Sequence, residues 1–165
     1  MTNLAIFAAG CFWGIEEKFL SHPGVLDTEV GYTGGITKNP NYHDVCTGST
    51  EHAEAVRVKF DNDIISYQDL LVLFFNIHDP TTLNRQGPDI GTQYRSEIFC
   101  LDKDQYLIAD AFKRNLNIDK FNCSIITSIS MAGTFWIAEE YHQKYIRKKK
   151  NMILLKYIRA CSSVG

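Results

Sequence analysis

Hydrophobic residues fall into short blocks whose spacing switches between the period of a strand and that of a helix. Leu4 to Ala9 is an apolar run of strand length. From Trp13 to Leu20, apolar Ile15, Phe19 and Leu20 alternate with polar Glu16, Glu17 and Lys18, a helical pattern that "SHPG" at 21–24 stops. Val25 to Tyr32 reads as a second strand. In "EHAEAVRVKFD" (51–61), strict alternation puts Glu54, Val56, Val58 and Phe60 on one face and Ala55, Arg57 and Lys59 on the other. Ser66 fits as the N-cap of an apolar helix, "YQDLLVLFFNIHD", ended by Pro80. "YRSEIFCL" (94–101) resumes as a strand, Asp102 to Leu116 as an amphipathic helix, "CSIITSIS" (123–130) as a strand and Ala138 to Lys150 as a helix. Residues 33–50 and 80–93 are rich in turn formers and read as long loops, a length that in compact domains is more often functional than idle.

This order, βαββαβαβα, predicts an α+β fold: one domain with a central mixed sheet and flanking helices, a two-layer, ferredoxin-like core. A chain of 165 residues suits one domain. Residues 1–150 are expected to form the folded domain, and 151–165 a basic, partly apolar C-terminal tail. With 45% hydrophobic residues and a net charge of −2, disordered and fibrous classes are excluded. The charge is unevenly spread: from Lys144 onward there are seven basic residues and no acidic one, leaving 10 basic against 19 acidic residues before it. An acidic body argues against a nucleic-acid reader. No run approaches a membrane span, and "FAAGC" is too short and lacks the basic start of a lipoprotein signal, so a soluble, cytoplasmic, monomeric protein is expected. Five widely spaced cysteines without a C-x-x-C point to a reducing compartment rather than a disulfide scaffold or zinc ribbon.

The chemistry concentrates in "AGCFWGIEE" (9–17). A cysteine between a strand end and a helix start meets backbone N–H groups and the positive end of the helix dipole, which favour thiolate. Cys11 is therefore a candidate nucleophile, against the bland alternative of a packed turn cysteine. Gly10 and Gly14 permit a sharp turn, and Phe12 with Trp13 supplies an aromatic wall suited to a methyl or thioether. Glu54 shares a face with Val and Phe, where desolvation raises a carboxyl pKa until it can donate a proton. Tyr42, Tyr94 and Asp89 add hydroxyls and a further carboxyl from the two long loops. His52 and His142 show no ligand spacing, so a metal site is not expected, and no glycine-rich phosphate loop appears.

The motifs "GCFWG", "GYTGG", "NPNYHDVCTGSTEHAEAVRVKFD", "HDPTTLNRQGPDIGTQYRS" and "AEEYHQKY", in order over residues 4–150, resemble the type A peptide methionine sulfoxide reductases. The resemblance implies Cys11 as nucleophile, Phe12 and Trp13 as the pocket for the substrate methyl, Glu54 as acid, and Tyr42, Tyr94 and Asp89 on the oxygen- and substrate-binding side. It implies S-epimer selectivity, protein-bound and free sulfoxide as substrates, and thioredoxin or a similar external dithiol as reductant, in a chemistry that requires no metal or organic cofactor. Family members often carry a resolving cysteine after a Pro and a glycine-rich stretch. Here "KKKNMILLKYIRACSSVG" lacks both, and Cys161 is its one cysteine, with Cys46 the next candidate. A cysteine hydrolase using His52 or His142, and a non-catalytic methionine-binding module, are the competing classes.

Overall fold

The computed structural model describes residues 1–162, and the side chains of residues 1–155. Its elements run β1 (Thr2–Ala9), α1 (Phe12–Leu20), β2 (Val25–Thr33), α2 (Tyr42–Cys46), β3 (Ala53–Asp61), α3 (Tyr67–Ile77), β4 (Arg85–Gln86), β5 (Asp89–Ile90), β6 (Ser96–Cys100), α4 (Lys103–Asp119), β7 (Ser128–Met131), β8 (Trp136–Ile137) and α5 (Tyr145–Ser162), with short 3-10 turns at Thr92–Tyr94 and Glu140–His142. Six strands form one sheet in the order β7-β6-β1-β3-β2-β8. Its middle four strands are antiparallel and follow the split βαβ order of a ferredoxin-like core. The parallel pairing of β6 with β7 makes the sheet mixed. The fold is the α+β arrangement expected from the hydrophobic pattern.

The main core lies between one face of the sheet and the helices. Phe7, Val56, Val58 and Phe60 meet Phe12, Phe19, Leu70 and Phe74 there, all fully buried. The opposite face carries the small residues Ala8, Ala53 and Ala55, covered by Phe99 and Phe135. Ser66 opens α3 with a capping box: its hydroxyl accepts from the Asp69 N–H at 3.1 Å, and the Asp69 carboxylate accepts from the Ser66 N–H at 3.0 Å. No described helix is long and apolar enough to cross a membrane.

Four segments differ from the sequence pattern, one of them the loop 80–93, which contains an antiparallel hairpin of β4 and β5. The strand expected over 123–130 begins at Ser128, because Asn122 and Cys123 are in left-handed conformation, while the Ile125 and Ile126 N–H groups bond Asn117 and Pro80 rather than a strand. The loop 33–50 contains α2, capped by Asn41, whose side chain accepts from the Asp44 N–H. The helix expected over Ala138–Lys150 starts only at Tyr145, and it continues past residue 150 to Ser162. The preceding residues are instead held at the β2 edge. The Gln143 amide accepts from the Val30 N–H and donates to the Val30 and Ala138 carbonyls, all at 2.9 Å, replacing a strand partner with a side chain. Buried Glu16 fixes the start of α5, accepting from the Lys144 N–H at 2.7 Å and the Thr28 hydroxyl at 3.0 Å.

Candidate active site

β1 ends at Ala9 and α1 begins at Phe12, so two residues make the turn. Gly10 has φ +95°, a left-handed conformation, and a Cβ there would lie 2.6 Å from Cγ of Gln86. Glycine is required at this position. Gly14 has ordinary helical geometry with open space where its Cβ would be, so it plays no part in the turn.

The turn places Cys11 at the N-cap of α1, partly exposed. The backbone N–H groups of Trp13 and Gly14 favour the thiolate, as the sequence led one to expect, but other groups outweigh them. Burial first, then the negative charges of Glu54 and Asp89, push the thiol up to about 11. At neutral pH Cys11 is held as a neutral thiol.

Glu54 is 1% exposed on β3. Its Oε2 accepts from the Phe12 N–H at 2.9 Å, so the carboxyl is tied to the first turn of the helix that Cys11 caps. Burial pushes Glu54 up to about 7, and the Phe12 N–H resists that shift only in part. Asp89, on β5, is close enough to raise both Cys11 and Glu54. Tyr94 closes the 3-10 turn after that hairpin, and burial, then Glu54, push its hydroxyl up to about 12. Tyr42 opens α2, and its hydroxyl is raised by burial and then by Cys46 one turn along. Four segments distant in sequence thus bring Cys11, Phe12, Trp13, Glu54, Tyr42, Asp89 and Tyr94 together. The Cys161 side chain lies outside the described residues.

The hydrophobic pattern did not place a group behind the aromatic wall. His142, 1% exposed, sits among Phe12, Trp13, Tyr42 and Tyr141, with ring centroids 5.2, 5.6, 4.5 and 4.1 Å away. Its Nδ1 accepts from the Trp13 indole N–H at 2.9 Å. The neutral ring therefore carries its proton on Nε2, which has no hydrogen-bond partner among the described residues and lies 3.9 Å from Oε2 of Glu139. Glu139 also accepts from the Tyr32 hydroxyl and the Tyr42 N–H, each at 2.8 Å. The signal in the sequence was the aromatic density of "EYHQKY", masked by its reading as the face of a helix.

These bonds also remove the basis for a cysteine hydrolase. His52 accepts from the Gly35 N–H and bonds the Thr37 carbonyl, and His142 is committed to Trp13, so no hydrogen bond joins Cys11 to a histidine among the described residues. Within the same limits, no three His, Cys, Asp or Glu residues gather as a metal site.

A family model described as peptide methionine sulfoxide reductase matches residues 3–163. The peptide methionine sulfoxide reductase MsrA of Methanothermobacter thermautotrophicus is 55% identical over 145 residues, 87% of this chain and 86% of that protein. The crystal structure of reduced Mxr1 from Saccharomyces cerevisiae superposes with a TM-score of 0.85 at 37% identity, covering 89% of this chain and 85% of that one. The same yeast protein in complex with Trx2 gives 0.64 at 27% identity, covering 87% and 84%.

Proposed function

The chain belongs to the peptide methionine sulfoxide reductase family, and we propose that Cys11 attacks the sulfoxide sulfur while Glu54 delivers a proton to its oxygen. The protein reduces methionine sulfoxide at the expense of thiols. One observation carries the assignment of roles: the buried Glu54 carboxyl is bonded at 2.9 Å to the first N–H of the helix capped by Cys11, beside an aromatic wall.

A sulfoxide is a poor electrophile until its oxygen is protonated. With Glu54 pushed up to about 7, an appreciable fraction holds a proton at neutral pH. The raised hydroxyls of Tyr42 and Tyr94 remain protonated and donate to the same oxygen. Phe12 and Trp13 receive the substrate methyl, and Asp89 lies on the substrate-binding side. The Cys11 sulfur bonds to the sulfoxide sulfur, and the protonated oxygen then passes from the methionine sulfur to the cysteine sulfur; the substrate S–O bond and the new S–S bond both break, and methionine leaves. The cysteine keeps the oxygen as a sulfenic acid, having given up two electrons. A second thiol then condenses with the sulfenic acid, releasing water and forming a disulfide that an external dithiol reduces. A complex of the yeast relative with Trx2 supports a thioredoxin-type donor. We assign selectivity for the S epimer, and repair of oxidised proteins as well as reduction of free methionine sulfoxide, to this site.

Dithiothreitol-dependent conversion of a peptidyl methionine S-sulfoxide to methionine tests the reading. Cys11→Ser should abolish it, since a serine hydroxyl cannot pass through a sulfenic acid; turnover by that variant within a few fold of the original overturns it.

A further inference from the structure

A peptide whose oxidised methionine sits at Cys11 must continue away from the pocket, and the structure offers a wall beside it. Tyr145, the first residue of α5, stacks on Trp13 with ring centroids 4.0 Å apart and 15° between planes. Tyr145 also lines a groove with Tyr141, Lys148, Lys149 and Met152, so this groove is continuous with the aromatic wall. Its floor is apolar and accessible, with Tyr141 59% and Met152 58% exposed.

The rim is cationic. Lys149 reaches over the Tyr145 ring, its Nζ 6.0 Å from the centroid, and has no carboxylate partner among the described residues. Lys148 is bonded to Glu140, the last acidic residue of the chain, at 2.8 Å. Beyond Glu140 every charged residue is basic.

We propose that this groove docks the residues flanking the oxidised methionine of a peptide substrate and selects an acidic flank. The inference rests on the reductase reading above and adds the class of peptide. Met152 and the two tyrosines take the backbone and apolar stems of the flank, as aromatic and thioether side chains do in adaptable peptide sites. A glutamate or aspartate there meets Lys149, whereas a lysine meets like charge.

The test compares two peptides of equal length, one with methionine S-sulfoxide between glutamates and one with it between lysines, using dithiothreitol as reductant. The acidic peptide is expected to show about three- to tenfold higher kcat/KM, the range for one or two exposed charge pairs, mostly through KM and shrinking as salt is added. Lys149→Gln should narrow the margin and Lys149→Glu should reverse it. Equal use of the two peptides, or a margin that survives Lys149→Glu, overturns the proposal. So does a Lys149→Glu protein in which peptide discrimination is intact and only thioredoxin-supported turnover slows, for the groove would then serve the reductant. Free methionine S-sulfoxide, assayed in parallel, separates the two levels: if neither it nor the peptides are reduced the reductase reading fails, and if it is reduced while the peptides are not distinguished the groove alone fails.

Discussion

The Trp13 indole N–H donates to Nδ1 of His142 at 2.9 Å, joining the second residue of α1 to a 3-10 turn 129 positions later. This bond orients the indole proposed above as one wall of the methyl pocket, and it requires a neutral His142 with its proton on Nε2, facing Glu139. On the proposed mechanism His142 acts as a positioning residue. Replacing it with Ala should raise KM for methionine sulfoxide about tenfold, with a smaller loss in kcat and a shifted tryptophan emission. His142→Asn can still offer an oxygen to the indole and should recover much of the KM. A kcat loss with KM unchanged would count against positioning. Burial holds His142 below its ordinary pKa, so the bond persists below pH 6.5. Because the unfolded chain takes up this proton first, the contribution to stability is lost as pH falls below 6.5.

Glu54 and Cys11 titrate as a reversed pair, with the acid pushed up to about 7 and the thiol up to about 11. The proposed reaction needs a protonated Glu54 and a Cys11 thiolate, which together hold one proton. Below pH 7 the pair holds two protons, so the single-turnover rate should rise about tenfold per pH unit, then level off between the two values. Glu54→Gln removes the transferable proton and should lower the plateau by ~10² to 10⁴. Its rate should keep climbing with pH toward the titration of the thiol. A plateau retained above pH 7 in the variant would place the acid elsewhere, and Asp89 is the carboxyl to replace next.

The same carboxyl makes a stability prediction of opposite sign to its proposed catalytic role. A buried Glu with a raised pKa binds a proton in the folded state that the unfolded chain has released, so stability falls as pH rises from about 4.5 to about 7. Its ionisation in the fold costs on the order of 3 kcal/mol above that window. Glu54→Gln should therefore melt higher than the parent at pH 8 and nearly with it at pH 4. Equal melting temperatures at both values would mean that Glu54 is not desolvated.

Gly10 and Gly14 looked equivalent in sequence and are not. Gly10→Ala forces a left-handed non-glycine residue and a clash with the Gln86 side chain, which should destabilise by ~1 to 3 kcal/mol and displace Cys11. Gly14→Ala meets open space inside a helix and should stabilise by up to ~1 kcal/mol. Denaturant melts of the two variants measure the contrast.

How far the sequence revealed the molecule depended on the kind of physics involved. Strict alternation placed Glu54 on the apolar face of β3, and Ser66 marked the start of α3, because periodicity and capping are local. Segments bonded to distant partners gave no local signal. The path from Ala138 to Gln143 is set by the Val30 peptide group, and Ile126 bonds Pro80. The ionisation of Cys11 was misjudged for the same reason: its helix terminus is visible in the sequence, while the burial and the carboxyls that outweigh it are assembled only by the fold. Cys123, placed in a strand by its neighbours, lies exposed in a left-handed turn.

Recycling is where the geometry is most demanding. Cys161 lies 16 residues beyond Tyr145 on one helix, so at 1.5 Å per residue its backbone is about 24 Å along the axis from the Trp13 contact. A disulfide needs Cα atoms within about 7 Å. The ion pairs of Arg147 and Lys150 with Glu17, both at 3.1 Å, hold the first turns of α5 to α1, whereas Met152, Ile153, Leu154 and Leu155 are 54 to 61% exposed. If Cys161 resolves the sulfenic acid, α5 must unwind beyond Lys150, and 11 extended residues then reach up to roughly 35 to 40 Å, ample for closure. Treatment with one equivalent of sulfoxide and no reductant should yield a Cys11–Cys161 disulfide by mass spectrometry, together with faster amide exchange over residues 151–161. Cys161→Ser should still release one methionine per protein but fail to turn over with thioredoxin. Cys46 is the rival: it is exposed and bears on the Tyr42 and Tyr94 hydroxyls at the site. A Cys11–Cys46 disulfide with amide exchange in α5 unchanged would remove Cys161 from the cycle.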